Sequence, residues 1–366
     1  MWPFGKKKKK PTSKVTQNAD GSKTFEMSFE LTGDPRPVEN AVVEAFDAAL
    51  GGLGGEVMHA IDPSRLVSFQ DGGPPVWSVG FVDVGGDRPH RHLLTYGFSH
   101  ALSPEPLREG IRHEYSLAVS ANTPPNPWAD ALLRHIARYV LKSGKDLQVG
   151  DVLPCYAPIT YIPFQPQDHA AMPDSPLVAL LVAPDPVFES IETPHGAVEV
   201  RRLIGVHADE YRRIETWSAG AFAEELAKHD PMLLTDSTRA SLMDDPNARE
   251  VIDRRAREEG SSNPVIVADM YWEDTGSELQ IEFPGGAEAE KLLAALHGRL
   301  DFGQPLLVAM RTSPPITFTP ADTFDINWSP DGLHIDGRLD DPNLARIVSF
   351  IRPDAPGSVV KLPLKK

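Results

Sequence analysis

Four histidines fall within a short stretch, His90, His92, His100 and His113, and the His90-x-His92 spacing sets two imidazoles on one face of a strand. Two such ligands can hold zinc, but no carboxylate or cysteine pattern beside them completes a site. They are expected instead to be strand-edge histidines that hold turns. Asp331, Asp336, Asp340 and Asp341 suggest a calcium loop. Their spacing fails the D-x-[DN]-x-[DN]-G pattern, so turn and cap roles are expected. Cys155 is the single cysteine, which excludes an internal disulfide and a cysteine-based metal site. It lies between prolines in Leu153–Pro158 and is read as a buried structural thiol. The glycine cluster Gly51–Gly55 follows a helix rather than a strand, which makes it a C-cap loop and not a phosphate cradle. The chain holds no G-x-S-x-G, no P-loop and no H-E-x-x-H. No catalytic residue, metal or cofactor is assigned, and the chain is read as non-enzymatic. A hydrolase built around His90 and His92 stays open as an alternative, because nucleophile and base can be distant in sequence.

Charge narrows the partner class. The formal net charge is −16, unevenly placed. Residues 1–23 hold seven lysines against Asp20, a charge of +6, which leaves −22 for the other 343 residues. An acidic body repels nucleic acid and anionic lipid and suits a basic partner. The apolar fraction of 41% supports packed cores rather than disorder. No apolar run approaches the roughly 20 residues needed to span a bilayer. The N-terminus lacks the apolar stretch of a signal peptide. The expected location is the cytoplasm.

The elements follow from periodicity. Residues 1–33 read as a basic flexible tail with one leading strand around Phe25–Leu31, where apolar and polar residues alternate. Asp34 offers an N-cap, and Val38, Val42, Ala45, Phe46 and Ala49 share one helical face before Gly51-Gly52 stops the helix. Strands are expected at 65–69, 76–84, 92–102, 113–120, 178–183 and 197–206. The clearest helix starts at an Asn126 cap with Pro127 in its first turn. Trp128, Leu132, Ile136, Tyr139 and Val140 form its inward stripe. Further helices are expected at 209–217, 220–228 and 247–259, with Leu233 and Leu234 packed beneath. Gly260-Ser261-Ser262 then breaks the chain. A second strand-rich set with one helix at 287–300 follows it. The expected fold class is α+β: a mixed sheet with packed helices over 34–245, then a smaller α+β unit over 246–366.

Five segments in order resemble the Suppressor of fused family: His90–Leu102, His113–Ser120, Trp128–Asp151, Leu180–Val206 and Pro231–Asp236. The resemblance, of bacterial type, covers roughly residues 35–245. It implies a non-enzymatic protein-binding domain. The family's animal members clasp a short extended peptide of a transcription factor between two domains. Similar bacterial domains are proposed to be immunity proteins that neutralise polymorphic toxins. The animal groove uses a Tyr late in the helix, an Asp twelve residues on and a Glu after the next strand. Tyr139 and Asp151 occupy the first two positions, and Pro184 departs from the third. The partner-binding residues implied are therefore Tyr139 and Asp151. Read from the residues alone, Tyr139 is equally a core aromatic, and for Asp151 a turn residue bonded to its own loop is the commoner case. The expected partner is another protein, either a basic toxin domain or an extended peptide segment. The alternative is a general adaptor with an unrelated cytoplasmic partner.

Overall fold

The computed structural model describes residues 12–17, 23–28, 37–61, 78–97, 99, 112–122, 128–311 and 313–363. The expected strand at 65–69, the Asn126 cap, Pro127 and His100 lie outside these residues. β1 (Thr12–Gln17) and β2 (Lys23–Ser28) form an antiparallel pair, so residues 12–17 of the expected tail are a strand.

The first large sheet runs through most of the N-terminal two thirds. Its strands are β3 (Met58–Ile61), β4 (Ser78–Val84), β5 (His90–Tyr96), β6 (His113–Ser120), β7 (Val152–Pro154), β8 (Leu177–Pro184), β9 (Ser190–Thr193) and β10 (Gly196–His207). The order across the sheet is β3-β4-β5-β6-β10-β8-β7, with β9 also paired to β10. β6 and β10 are parallel and the other neighbours antiparallel. β3 and β7 are thus the outer strands.

Alternation along these strands explains why both faces are covered. Leu93, Tyr115, Leu117, Leu180, Val182 and Leu203 face one side, where helix α2 (Trp128–Ser143) packs. Its stripe of Trp128, Leu132, Ile136 and Val140 is buried there as the periodicity requires. Burying each such side chain contributes about 1.5–3 kcal/mol. Gly144 ends the helix in a left-handed conformation, its N–H bonded to the Val140 carbonyl. The intervening residues face the other side. Val82, Leu94, Tyr96, Val198 and Val200 meet helix α1 (Pro37–Gly51). Ala179, Leu181, Ile204 and Val206 meet helices α3 (Ala208–Thr216) and α4 (Ala219–His229).

Helix α5 (Pro246–Glu259) belongs to the same cluster. The expected boundary at 245/246 falls before it, yet Ala248 and Ile252 are buried with Phe222 and Leu226 of α4. Arg255 of α5 also reaches Glu224 and Glu225 of α4 at 3.0 and 2.5 Å.

The C-terminal unit holds two further sheets around one core. The strands are β11 (Val265–Val267), β12 (Tyr271–Asp274), β13 (Glu278–Pro284), β14 (Leu306–Ala309), β15 (Ile316–Thr319), β16 (Asp325–Ser329), β17 (Gly332–Asp336) and β18 (Gly357–Pro363). One sheet is ordered β11-β14-β15-β17-β16 and the other β12-β13-β18. Helix α6 (Gly286–Leu300) and helix α7 (Pro342–Val348) bury Leu292, Leu296, Leu344 and Ile347 among them. The fold is α+β in both parts, as the sequence indicates.

The segment joining the units is bonded on both sides. Ser262 N–H and the Ser261 hydroxyl donate to the Trp217 carbonyl at 2.8 and 3.0 Å. The Asn263 amide donates to the Ile214 and Glu215 carbonyls at 2.7 and 3.0 Å, closing the end of α3. From the other side, Arg299 of α6 donates to the Ser261 carbonyl at 2.7 Å.

Candidate partner-binding cleft

A cavity of about 680 Å³ opens between the two units. One wall is the end of the large sheet, with Asp151, Val152, Pro154 and Tyr156; the facing wall is β11. α3 and α6 contribute Tyr211, Glu215, Glu288 and Lys291.

Among the described residues, both walls present a strand edge with no strand paired to it. In the β7–β8 ladder, Val182 N–H donates to the Asp151 carbonyl and Cys155 N–H to the Val178 carbonyl. Antiparallel bonding alternates, so the main-chain groups of Leu153 also turn toward β8. Those of Val152 and the carbonyl of Pro154 then turn outward. Pro154 suits this place, because an outer strand needs no N–H on its open side. In the parallel β11–β14 pair, Leu307 N–H donates to the Pro264 carbonyl and Ala268 N–H to the Ala309 carbonyl. Ile266 therefore pairs inward, and the N–H and C=O groups of Val265 and Val267 face the open edge. Their side chains are 50% and 47% exposed, while Ile266 is buried.

Charged side chains cap the cleft. The Lys291 ammonium donates to the Val267 carbonyl at 2.8 Å and pairs with Glu288 at 3.0 Å. Burial pushes the Glu215 carboxyl above the usual range, opposed by Lys291 and by a hydrogen bond from the Tyr211 hydroxyl. Burial likewise pushes the Tyr211 hydroxyl well up, helped by Glu215.

The two implied site residues part company. Asp151 lies in the cleft wall, its carboxylate accepting from Gln148 N–H at 2.8 Å. Tyr139 is half-buried and packs into the α2-side core, in the cluster that also takes Leu153 and Cys155 of the β7 segment. It does not line the cleft. Pro184 is exposed at the far end of β8, away from the stretch that pairs with β7.

The histidines serve the interior. β5 lies between β4 and β6, so His90 and His92 are on a central strand and not at an edge. His90 bonds the Arg88 carbonyl at 2.8 Å, which is a turn contact. His92 Nε2 lies 3.8 Å from the Asp185 carboxylate in a fully buried group with Arg202 and Ser116. His113 Nε2 meets Asp146 at 3.1 Å. Among the described residues, no group of three His, Cys, Asp or Glu side chains is placed to hold a metal. Cys155 is partly buried, and burial pushes its thiol up to about 12. Asp341 caps α7 through Asn343 N–H at 2.8 Å, and Asp340 pairs with Arg338 at 3.2 Å. Among the described residues, no helix is long and apolar enough to cross a membrane.

Residues 72–240 match the family model described as Suppressor of fused protein. This stretch of the chain is thus similar to a Suppressor of fused domain. The human Suppressor of fused homolog is 24% identical over 234 residues, a match covering 58% of this chain and 46% of that protein. The mouse homolog is 24% identical over 202 residues, covering 50% of this chain and 40% of that protein. The matches thus span less than half the length of these relatives. The crystal structure of Drosophila Suppressor of Fused superposes with a TM-score of 0.66 at 16% identity, covering 90% of this chain and 95% of that one. The shared fold therefore extends beyond the Suppressor of fused domain into the C-terminal unit.

Sequence reading singles out Asp151, which lines the cleft, and none of the other lining residues. Val265–Val267 reads as a strand from its β-branched run, but nothing local says that its outer edge stays unpaired. Pro154 in a short apolar run is the one available signal for an outer strand at β7.

Proposed function

We propose that this chain is a non-enzymatic, cytoplasmic protein-binding module that takes an extended segment of a partner protein as an added strand between β7 and β11. The carrying observation is the pair of unpaired edges lining one cleft, with Asp151 in its wall. Main-chain bonds along either edge supply affinity, and the flanking side chains supply selectivity. Tyr139 supports the site from behind, packing in the core cluster that also holds the inner side of β7.

The partner we propose is a toxin domain with a basic surface, which makes the chain an immunity protein. The −22 charge of residues 24–366 supports this, since opposite charge speeds encounter. The test is affinity capture of the tagged full chain from its own cells, with Val267→Pro run in parallel. A toxin-like protein retained by the parent and lost by Val267→Pro supports both the partner and the site. A stoichiometric partner of another kind turns the reading to a general adaptor. Capture that ignores Val267→Pro removes the cleft from the account.

A further inference from the structure

Two residues other than glycine adopt left-handed backbone among the described residues, Tyr156 (φ 56) and Leu233 (φ 51). This conformation costs an L residue free energy, so each needs a compensating contact or a use. Leu233 has its compensation in the fold. The Asp230 carboxylate accepts from Met232 and Leu234 N–H at 3.0 and 2.9 Å, and the Leu233 side chain is buried with Trp217 and Phe222. Tyr156 has no such return. Its side chain is 85% exposed, the most exposed large hydrophobic of the described residues.

Its position supplies the use. Tyr156 follows the outward-facing carbonyl of Pro154 by two residues and lines the same cleft as Val265 and Val267. Tyr211 of α3 lines it as well. The left-handed turn takes the chain off the β7 edge and leaves an aromatic ring at the mouth of the cleft. Tyrosine suits such a place, because it offers large contact area and loses little side-chain freedom on binding.

We infer that Tyr156 is the specificity-determining residue of the cleft, selecting an extended segment with a bulky apolar side chain that seats between its ring and the Val265/Val267 face. This rests on the strand-addition reading above. An added strand alternates its side chains, so one such residue, or two at i and i+2, meets this face.

The test is a selection of random linear twelve-residue peptides displayed on phage against the immobilised full chain. The enriched consensus is then synthesised and titrated against the parent, Val267→Pro, Tyr156→Ala and Tyr156→Gly. The expected consensus holds one bulky apolar position, and Val267→Pro abolishes binding. Tyr156→Ala weakens binding about tenfold or more, as loss of an interface anchor does. Replacing the apolar peptide residue by Ala then costs little further in the Tyr156→Ala background. Tyr156→Gly binds as poorly but melts no lower than the parent, because glycine relieves the left-handed turn. Peptides that bind, are blocked by Val267→Pro and ignore both Tyr156 variants overturn this inference alone. Failure to enrich any peptide, or binding indifferent to Val267→Pro, overturns the strand-addition reading and this inference with it.

Discussion

The guanidinium of Arg202 and the carboxylate of Asp185 meet at 2.9 Å with neither side chain exposed to solvent. They join β10 to the end of β8, and Ser116 of β6 donates to the same carboxylate. Burial opposes ionisation of Asp185, yet the Arg202 charge holds its carboxyl below the usual range. Removing one partner strands the other charge in the interior. Asp185→Ala should therefore cost about 3–5 kcal/mol in urea unfolding. Arg202→Met with Asp185→Leu should cost far less than either single change. Singles that each cost under about 1 kcal/mol would show that water reaches the pair.

Acid should unfold the protein through its buried histidines. Burial, then the Arg201 charge, pushes His113 down to about 4 from the ordinary 6.5. His92 is shifted the same way, by burial and Arg202. Between about 4 and 6.5 the unfolded chain binds protons that the native state does not. Stability thus falls as pH drops through that window, by at most about 1.4 kcal/mol per pH unit for each such histidine. Urea midpoints measured from pH 7.5 to 4.5 give the slope, and His113→Asn should flatten it. An identical slope in that variant would remove His113 from the explanation.

Gly285 marks a close approach in the C-terminal unit. A Cβ there would lie 1.8 Å from the Ala355 carbonyl oxygen, which is backbone and cannot swing aside. Gly285→Ala should destabilise this unit by about 1–3 kcal/mol or more. Hydrogen exchange should quicken first in β13 and β18, whose pairing brings Pro284 against Gly357. Unchanged exchange there would mean that the 355–356 turn moves freely.

Asp151→Ala should weaken partner binding by about 2 kcal/mol, a typical loss for a buried interface anchor. Its melting temperature should fall only slightly, because the lost bond is a single exposed turn contact to Gln148. Calorimetric titration with the captured partner measures the first and thermal unfolding the second. Full retention of affinity would leave Asp151 with its turn role alone.

Local pattern makes much of this fold legible. The 3.6-residue stripe of α2, the alternation of β6 and the unbroken apolar run of β8 are properties of single segments, and these elements stand where those patterns put them. β7 and β9 have three and four residues, too few for a period to show. α7 is hidden because seven residues with two inward side chains make a weak stripe. The cleft is hidden for a different reason. Asp151 announces itself through family spacing, whereas the open edges of β7 and β11 are set by which strands fail to arrive beside them. That is decided by long-range pairing and leaves no mark on Val152 or Val267 themselves.

The joining segment carries a kinetic consequence. Ser261, Ser262 and Asn263 are bonded to α3 and its C-cap, and Arg299 grips the same stretch from α6. These bonds tie the two walls together before any partner arrives. Most of the ordering entropy falls on the incoming segment. Association should follow a single phase whose rate climbs linearly with partner concentration, without the plateau that a slow opening step imposes.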